Sequence, residues 1–179
     1  MFKLTESPAL YNGDFHSPLC RLTLLPNLAR LSLAPMNGEL GRTREFFQKV
    51  GIELPGPTDA VLSPCLILPL GRGQWLLQGE WPDLEPINEL ICTTDQSDAW
   101  CGFQLAGSGG PAVLERLVAA APQSYSCGRA VRTQIEHLGC WVVGLDNNEW
   151  QILGPRSSAE SLFVALKHAA LAVDALLQN

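Results

Sequence analysis

Apolar and polar positions along the chain follow two different periods, and together these predict a mixed α+β fold. Runs of β-favouring residues bounded by turn residues predict strands at residues 28–33, 65–70, 74–78, 91–94, 100–105, 132–137, 140–146 and 149–153. Apolar residues recur at helical spacing in residues 43–50, 109–121 and from 157 onward, which predicts three helices. The predicted strands and helices are therefore interspersed along the chain and are not divided into an all-β part and an all-α part.

The last helix has the clearest boundary signal, because Ser157 is followed three residues later by Glu160, the pattern of a capping box. Its predicted buried face consists of Leu162, Leu166, Ala169, Val173 and Leu176. This face is expected to pack on a sheet formed by the three preceding strands.

The two earlier helices have weaker signals. In the helix at residues 43–50, Val50 is expected to face inward and Gly51 to end the helix. In the helix at residues 109–121, Ser108 is expected to be the N-cap.

The order of predicted elements is similar in residues 28–90 and 99–177, which indicates a weak internal repeat. A strand, a helix and further strands in each segment are typical of two ferredoxin-like halves. Residues 1–24 contain turn residues and little periodicity, which predicts an extended N-terminal arm. The arm is expected to precede a single α+β domain at residues 25–179.

Composition narrows the functional classes. The formal net charge is -6 and no Lys/Arg cluster is present, which excludes the phosphate-neutralising surface of DNA- and RNA-binding proteins. Only 17% of residues are charged, which is low for a soluble domain and indicates an apolar surface covered by a partner. With no apolar stretch of membrane-spanning length and no signal sequence, the chain is predicted to be cytoplasmic and free of membranes.

Reactive side chains do not form a recognisable catalytic or metal motif. Cys127, His137 and Cys140 have soft-ligand chemistry, but their spacing fits no zinc pattern, so no metal is predicted. His16 and His168 complete the three histidines, and no Gly-x-Ser-x-Gly elbow accompanies them. The six cysteines are expected to be reduced, buried thiols, and no catalytic residue is predicted.

Three motifs carry a resemblance to a known family. An Asp-x-Ser precedes a Phe-x-Leu-x-Gly strand and a helix at residues 95–107 and beyond. A Trp-containing strand runs into Pro-Arg-Ser and a helix at residues 149–162, and a Gly-x-x-x-Trp-Leu-Leu hairpin lies at residues 71–77. In this order and spacing, over roughly residues 25–170, the chain resembles the gamma subunit of heterotetrameric sarcosine oxidase.

The resemblance implies an aminomethyltransferase-like, folate-binding-domain-like fold. It implies a non-catalytic gamma subunit of an oxidoreductase complex that stabilises or assembles larger alpha and beta subunits and a small delta subunit. That complex is flavin-dependent and oxidises sarcosine or a similar N-methyl amino acid, in sarcosine catabolism and one-carbon metabolism. FAD, FMN, NAD and tetrahydrofolate would belong to the partner subunits, and this chain would hold no cofactor.

Three residues are site candidates. Asp95 is a folate candidate because folate-binding relatives place a carboxylate against the pterin; alternatively it bonds local backbone groups in a turn. Arg156 matches the arginine of Pro-Arg-Ser at the start of the last helix, where it would hold an anion or form an exposed or partner-facing salt bridge. Trp81, in a predicted loop, is the candidate interface anchor.

Two alternative functions remain open from the sequence. The first is a stand-alone folate-binding or one-carbon transfer protein, whose relatives usually carry an additional C-terminal domain. The second is a ligand-binding module that uses the anion site at Arg156. The glycine-rich turn at residues 107–110 lacks the spacing of a nucleotide-binding loop and is interpreted as a helix-entry turn.

Overall fold

A computed structural model describes residues 7–177 of the chain as two antiparallel sheets and three α-helices. The helices are α1 (Leu40–Lys49), α2 (Gly110–Leu117) and α3 (Ala159–Leu177). Within this part of the chain the strands are β1 (Phe15–His16), β2 (Arg21–Leu24), β3 (Arg30–Pro35), β4 (Leu66–Gly71), β5 (Gln74–Gln78), β6 (Ile91–Asp95), β7 (Trp100–Ala106), β8 (Ala130–Ile135), β9 (Leu138–Asp146) and β10 (Glu149–Pro155). Short 3-10 helices occupy Glu85–Ile87, Pro122–Tyr125 and Arg156–Ser158.

The first half is a four-stranded sheet with the order β4-β5-β3-β6. Its outer face packs on α1 through a core that includes Leu33, Phe47 and Trp75. Helix α1 ends as predicted, because Gly51 adopts φ +80°, which favours glycine. The prediction that Val50 faces inward is wrong, since its side chain is 44% exposed. Val50 is the C-cap of α1, where the backbone has left the helical path.

The second half is a six-stranded sheet with the order β1-β2-β7-β10-β9-β8. Four of these strands, in the order β9-β10-β7-β2, repeat the arrangement β4-β5-β3-β6 of the first half, and α2 follows β7 as α1 follows β3. Trp75 in β5 and Trp150 in β10 consequently occupy equivalent strands. The prediction of an α+β fold with two ferredoxin-like halves is confirmed.

The N-terminal segment supplies one strand to this arrangement. Strand β2 pairs with β7, and Arg21 lies opposite Ala106. The side chain of Leu22 is 1% exposed and belongs to the core beneath α2 and α3. Residues 1–24, predicted as an extended arm, thus contain strand β2, which is the last strand in the order β9-β10-β7-β2 of the second half.

The two sheets pack face to face, with helices on both outer faces. The layer between them contains Leu66, Leu68, Leu76, Ala130, Trp141, Val143 and Leu153. Both faces of β4 and β5 are therefore buried, which explains why these strands are continuous apolar runs and not alternating ones. Burial of this apolar surface contributes most of the free energy that holds the two halves together.

Helix boundaries differ from the predicted ones at two places. Helix α2 ends at Leu117 because Val118 is extended, and its N-cap is Gly109, so the predicted N-cap role of Ser108 is wrong. Ser157 lies inside the 3-10 turn before α3, where it cannot be the N-cap that a capping box requires. Leu176 is 64% exposed, so the predicted buried face of α3 is right for its other four members and wrong for this one.

None of the helices in residues 7–177 combines the length and apolar character needed to cross a membrane.

Candidate functional site

A buried polar network crosses the layer between the sheets. Arg30 in β3 lies opposite Gln78 in β5, and its side chain is 1% exposed. The Nε of Arg30 donates to Oε1 of Gln78 at 2.9 Å. The amides of Gln78 and Gln151 exchange two hydrogen bonds of 3.3 and 3.0 Å. Because Gln151 belongs to β10, the network joins the first half to the second.

The guanidinium of Arg30 is only partly satisfied. Its Nη1 donates to the carbonyl oxygen of Trp100 at 3.1 Å, with longer contacts of 3.4 and 3.5 Å to the carbonyl oxygens of Leu28 and Ser97. Its Nη2 is buried and has no hydrogen-bond partner among the described residues. Arginine carries five N–H donors and two of them are on Nη2, so a substantial part of its hydrogen-bonding capacity is unused.

The hydrogen-bond partners of Arg30 are all neutral. None of them is a carboxylate that would balance its positive charge. Burial lowers the pKa of Arg30, Cys101 opposes this shift, and the positive charge of Arg156 lowers the pKa further. An arginine remains protonated even so. A buried cation without a counter-ion costs several kcal/mol, which the neutral hydrogen bonds offset only in part.

A cavity of about 160 Å³ lies beside this guanidinium. It is lined by Pro8, Ala9, Leu24, Leu25, Pro26, Asn27, Arg30, Trp100, Cys101, Gly102 and Arg156. Two arginines and no acidic residue appear in this described lining, so the cavity is electropositive. We refer to it as the inter-sheet cavity.

Two side chains that line the inter-sheet cavity carry a buried donor without a partner in residues 7–177. A Cβ atom at Gly102 would lie 3.5 Å from Nη2 of Arg30, so the absence of a side chain there makes room for the guanidinium against β7. The indole Nε1 of Trp100 is buried and has no partner in the described part of the chain. Buried polar groups are nearly always hydrogen-bonded, so two unpaired donors on one small cavity are unusual.

Of the three predicted site residues, only Arg156 lies on the inter-sheet cavity. Its side chain is half-buried, and its Nη2 donates to the carbonyl oxygen of Ser7. It therefore contacts backbone in the N-terminal segment.

Asp95 lies outside the cavity lining and organises a turn. Its exposed carboxylate accepts hydrogen bonds from the backbone N–H of Ser97 at 2.9 Å and from the hydroxyl of Ser97 at 2.6 Å. These bonds lower the pKa of Asp95. The hydroxyl of Ser97 in turn accepts from the backbone N–H of Arg30 at 3.0 Å. Asp95 thus helps to position Arg30 through Ser97.

Trp81 is half-buried and packs against the core of the first half. Part of its ring is therefore occupied within this chain, and its role as an interface anchor stays a prediction.

The thiols differ in exposure. Cys101 and Cys140 are buried, and desolvation raises the pKa of both, to about 11 for Cys140. Cys92 and Cys127 are exposed, so the prediction that all six cysteines are buried is wrong for these two. Cys92 follows the apolar residues Leu90 and Ile91, but it lies on the edge strand β6, where residues 92–95 are exposed. Within residues 7–177, no three His, Cys, Asp or Glu side chains are grouped to hold a metal.

Comparison with known proteins gives matches in structure only. No protein-family model matches the sequence, and no curated protein matches it. The structure is similar to a chain of heterotetrameric sarcosine oxidase from Corynebacterium sp. U-96, solved in complex with pyrrole 2-carboxylate. The TM-score is 0.76 at 20% identity, over 90% of this chain and 89% of that one. The present chain has the fold of that sarcosine oxidase chain.

A second structural match is an aminomethyltransferase. The glycine cleavage system aminomethyltransferase T from Bartonella henselae matches with a TM-score of 0.55 at 11% identity. The match covers 83% of this chain but 45% of the aminomethyltransferase, so the chain spans less than half of that protein's length. The expectation of an aminomethyltransferase-like fold is confirmed.

The central role of Gln78 generates a stability prediction. Replacing Gln78 by Leu removes the acceptor of Arg30 Nε and both bonds to Gln151. The variant should lose about 1–3 kcal/mol in free energy of unfolding, because buried donors are left unpaired. Gln74→Leu on the same strand is the control, since Gln74 is exposed and should change stability by less than about 0.5 kcal/mol. Urea denaturation of both variants measures the difference, and equal stabilities would contradict the structural role of the network.

Proposed function

We propose that this chain is the gamma subunit, or an equivalent non-catalytic subunit, of a flavin-dependent sarcosine or N-methyl amino acid oxidase. The observation that carries the proposal is the fold match to the sarcosine oxidase chain over 90% of this chain and 89% of the other. Similar covered fractions mean that the two chains have similar lengths. The match therefore extends over most of both chains, whereas the aminomethyltransferase match extends over less than half of that enzyme.

In this proposal the chain stabilises or assembles the larger alpha and beta subunits and the small delta subunit in the cytoplasm. FAD, FMN, NAD and tetrahydrofolate are held by those partner subunits. The buried cysteines of this chain fit a structural role, because the raised pKa of Cys101 and Cys140 keeps both as thiols, which are poor nucleophiles.

The size of the inter-sheet cavity argues against folate binding at the predicted site residue Arg156, which lines it. Its volume is about 160 Å³. Pockets that enclose a drug-sized ligand measure about 300–1,000 Å³. A pterin with its aminobenzoyl-glutamate tail belongs to that larger class, so tetrahydrofolate does not fit in the inter-sheet cavity.

The outward surface of α3 has the character of a subunit interface. Val164 and Leu171 are 40% and 45% exposed, and they share this face with Ser161, His168 and Ala175. These positions recur at helical spacing and none is acidic or a lysine or arginine. Interface centres are depleted in charged residues, in agreement with this pattern. We therefore assign a partner contact to the outward face of α3, with Trp81 as a second candidate.

Co-purification tests the proposed function. The chain should be co-expressed with the adjacent reading frames and isolated through a tag on this chain. We expect a yellow complex with flavin absorbance, sarcosine-dependent oxygen consumption and a mass well above the 19.4 kDa of the single chain. Recovery of the tagged chain alone would contradict the proposal. Saturable tetrahydrofolate binding by the isolated chain, lost in Asp95→Asn or Arg156→Gln, would favour the folate-binding alternative.

Charge placed on the outward face of α3 should weaken assembly. We expect the double variant Val164→Glu, Leu171→Glu to fold with a free energy of unfolding within about 1 kcal/mol of wild type, because both sites are surface positions. Its yield of co-purified partner subunits should fall strongly, since buried unpaired charges oppose association. Val50→Glu is the control, because Val50 is similarly exposed at 44% but belongs to the end of α1. Equal recovery of partners with both variants would exclude this face as the interface.

A further inference from the structure

We propose that the outer edge of β6 is a docking site for an extended, basic segment of a partner chain, which pairs with β6 as an added strand. The partner is defined by its chemistry, an extended backbone with several lysine or arginine side chains. This contact is separate from the one assigned to the outward face of α3, and it requires no oxidase activity in the partner.

The outer edge of β6 has no neighbour in the sheet. Each half contributes four strands, in the orders β4-β5-β3-β6 and β9-β10-β7-β2, and so has two edges. In the second half, β8 pairs with β9 and β1 pairs with β2. In the first half, Val61 and Ile67 of β4 exchange backbone hydrogen bonds of 3.1 and 2.8 Å. Within residues 7–177, β6 is therefore the half-sheet edge without a paired neighbour.

The register of β6 identifies the backbone groups that face outward. The N–H of Gln96 donates to the carbonyl oxygen of Arg30 at 2.8 Å, and the N–H of Met36 donates to that of Leu90 at 2.8 Å. Hydrogen-bonded and non-hydrogen-bonded pairs alternate along an antiparallel ladder, so every second residue of β6 turns its N–H and C=O away from β3. These residues are Ile91, Thr93 and Asp95.

β6 lacks features that commonly block an exposed edge strand. It contains no proline or lysine, and its pairing with β3 has no bulge. Thr93 at its centre is exposed, uncharged and β-favouring. The carboxylate of Asp95, at the end of the strand, bonds to the N–H and hydroxyl of Ser97. The backbone of β6 is therefore suited to accept an added strand.

Charge around β6 selects a basic partner. Residues 73–98 contain six acidic residues and no lysine or arginine. All six are exposed, and none takes part in an ion pair within residues 7–177. Lysine or arginine side chains on an incoming strand would meet these carboxylates, which also accelerates encounter. The six are Glu80, Asp83, Glu85, Glu89, Asp95 and Asp98.

The same charge disfavours a second copy of this chain as the added strand. An antiparallel pair of β6 strands centred on Thr93 would bring the acidic segments of both copies together. Like charges across a strand pair are destabilising. The edge is thus protected against self-association and open to a segment of opposite charge.

Binding of a labelled peptide to the purified full chain tests this surface. The probe is a fluorescein-labelled peptide that alternates lysine with threonine, and the control peptide has glutamate in place of every lysine. We expect fluorescence anisotropy to show saturable binding of the lysine peptide and none of the glutamate peptide. Binding should weaken several-fold between about 0.1 and about 1 M sodium chloride, because the Debye length falls from about 10 Å to about 3 Å.

Amide hydrogen exchange distinguishes strand pairing from attraction between charges alone. The N–H of Thr93 points outward and should exchange rapidly in the free chain. The bound lysine peptide should slow this exchange about tenfold or more, because the N–H then donates to the added strand. A lysine peptide with N-methylated threonines has the same charge but fewer backbone donors, and it should bind more weakly and protect Thr93 less.

A proline substitution tests the outward N–H of β6. Thr93→Pro removes this donor and should preserve the pairing with β3, since proline is accepted on an edge strand where the N–H faces solvent. The variant should bind the lysine peptide about tenfold more weakly or worse. Thr93→Val is the matched control, because it keeps the N–H and a β-branched side chain and should bind like wild type. Urea denaturation establishes that both variants are folded.

A pair of charge variants tests the choice of a basic partner and still decides if Thr93→Pro fails to fold. The double variant Glu89→Gln, Asp98→Asn removes two exposed charges next to β6 and should weaken peptide binding about threefold or more. The matched control, Glu136→Gln with Glu160→Gln, makes the same change in net charge at exposed sites of the second half. The control should leave binding unchanged.

The proposal is overturned if the lysine peptide does not bind saturably, if Thr93 gains no protection, or if the two double variants weaken binding equally. A concentration-dependent dimer that Thr93→Pro abolishes would also overturn it, because a second copy would then be the occupant. These assays use the isolated chain, so their failure is separable from a failure of subunit co-purification.

Discussion

Arg30 extends from the four-stranded sheet into the layer between the two sheets, where its guanidinium is 1% exposed. Removing that charge from water is expensive, and the cost is met in part by hydrogen bonds to Gln78 and to the carbonyl oxygen of Trp100. One of these partners belongs to the first half and the other to the second. The packing of sheet on sheet must keep both partners in reach, so the position of Arg30 constrains how the halves meet.

The surrounding layer is apolar and would tolerate sliding of one sheet over the other, because dispersion and hydrophobic contacts have little directionality. The hydrogen bonds of Gln78 with Gln151 are directional and fix a single alignment. Gly102 provides no side chain where β7 passes the guanidinium, and Arg30 is also one of the residues that line the inter-sheet cavity. The fold and the candidate site therefore depend on the same side chain.

Local signals in the sequence were enough to predict most elements and the repeat, because periodicity and turn residues act over a few positions. The equivalence of Trp75 and Trp150 is one example, and the helix stop at Gly51 is another. The place of β2 beside β7 was not predicted, since strand pairing over such a separation leaves no local signal. Arg30 was not selected as a site residue for the same reason. It alternates with Leu31 and Leu33 along β3, so a local pattern assigns it to a solvent face, yet the second sheet covers that face.

The energetic coupling between Arg30 and Gln78 is tested most directly by a double-mutant cycle of Arg30→Met and Gln78→Leu, in which the stability of each variant is measured by urea denaturation. Each single variant leaves a buried polar group without its partner, whereas the double variant removes both groups. The account predicts that the double variant loses less free energy of unfolding than the sum of the single losses, by about 1 kcal/mol or more. Strictly additive losses would show that Arg30 and Gln78 act independently, and would contradict the claim that these two side chains belong to one network that reaches Trp100 and Gln151 in the second half.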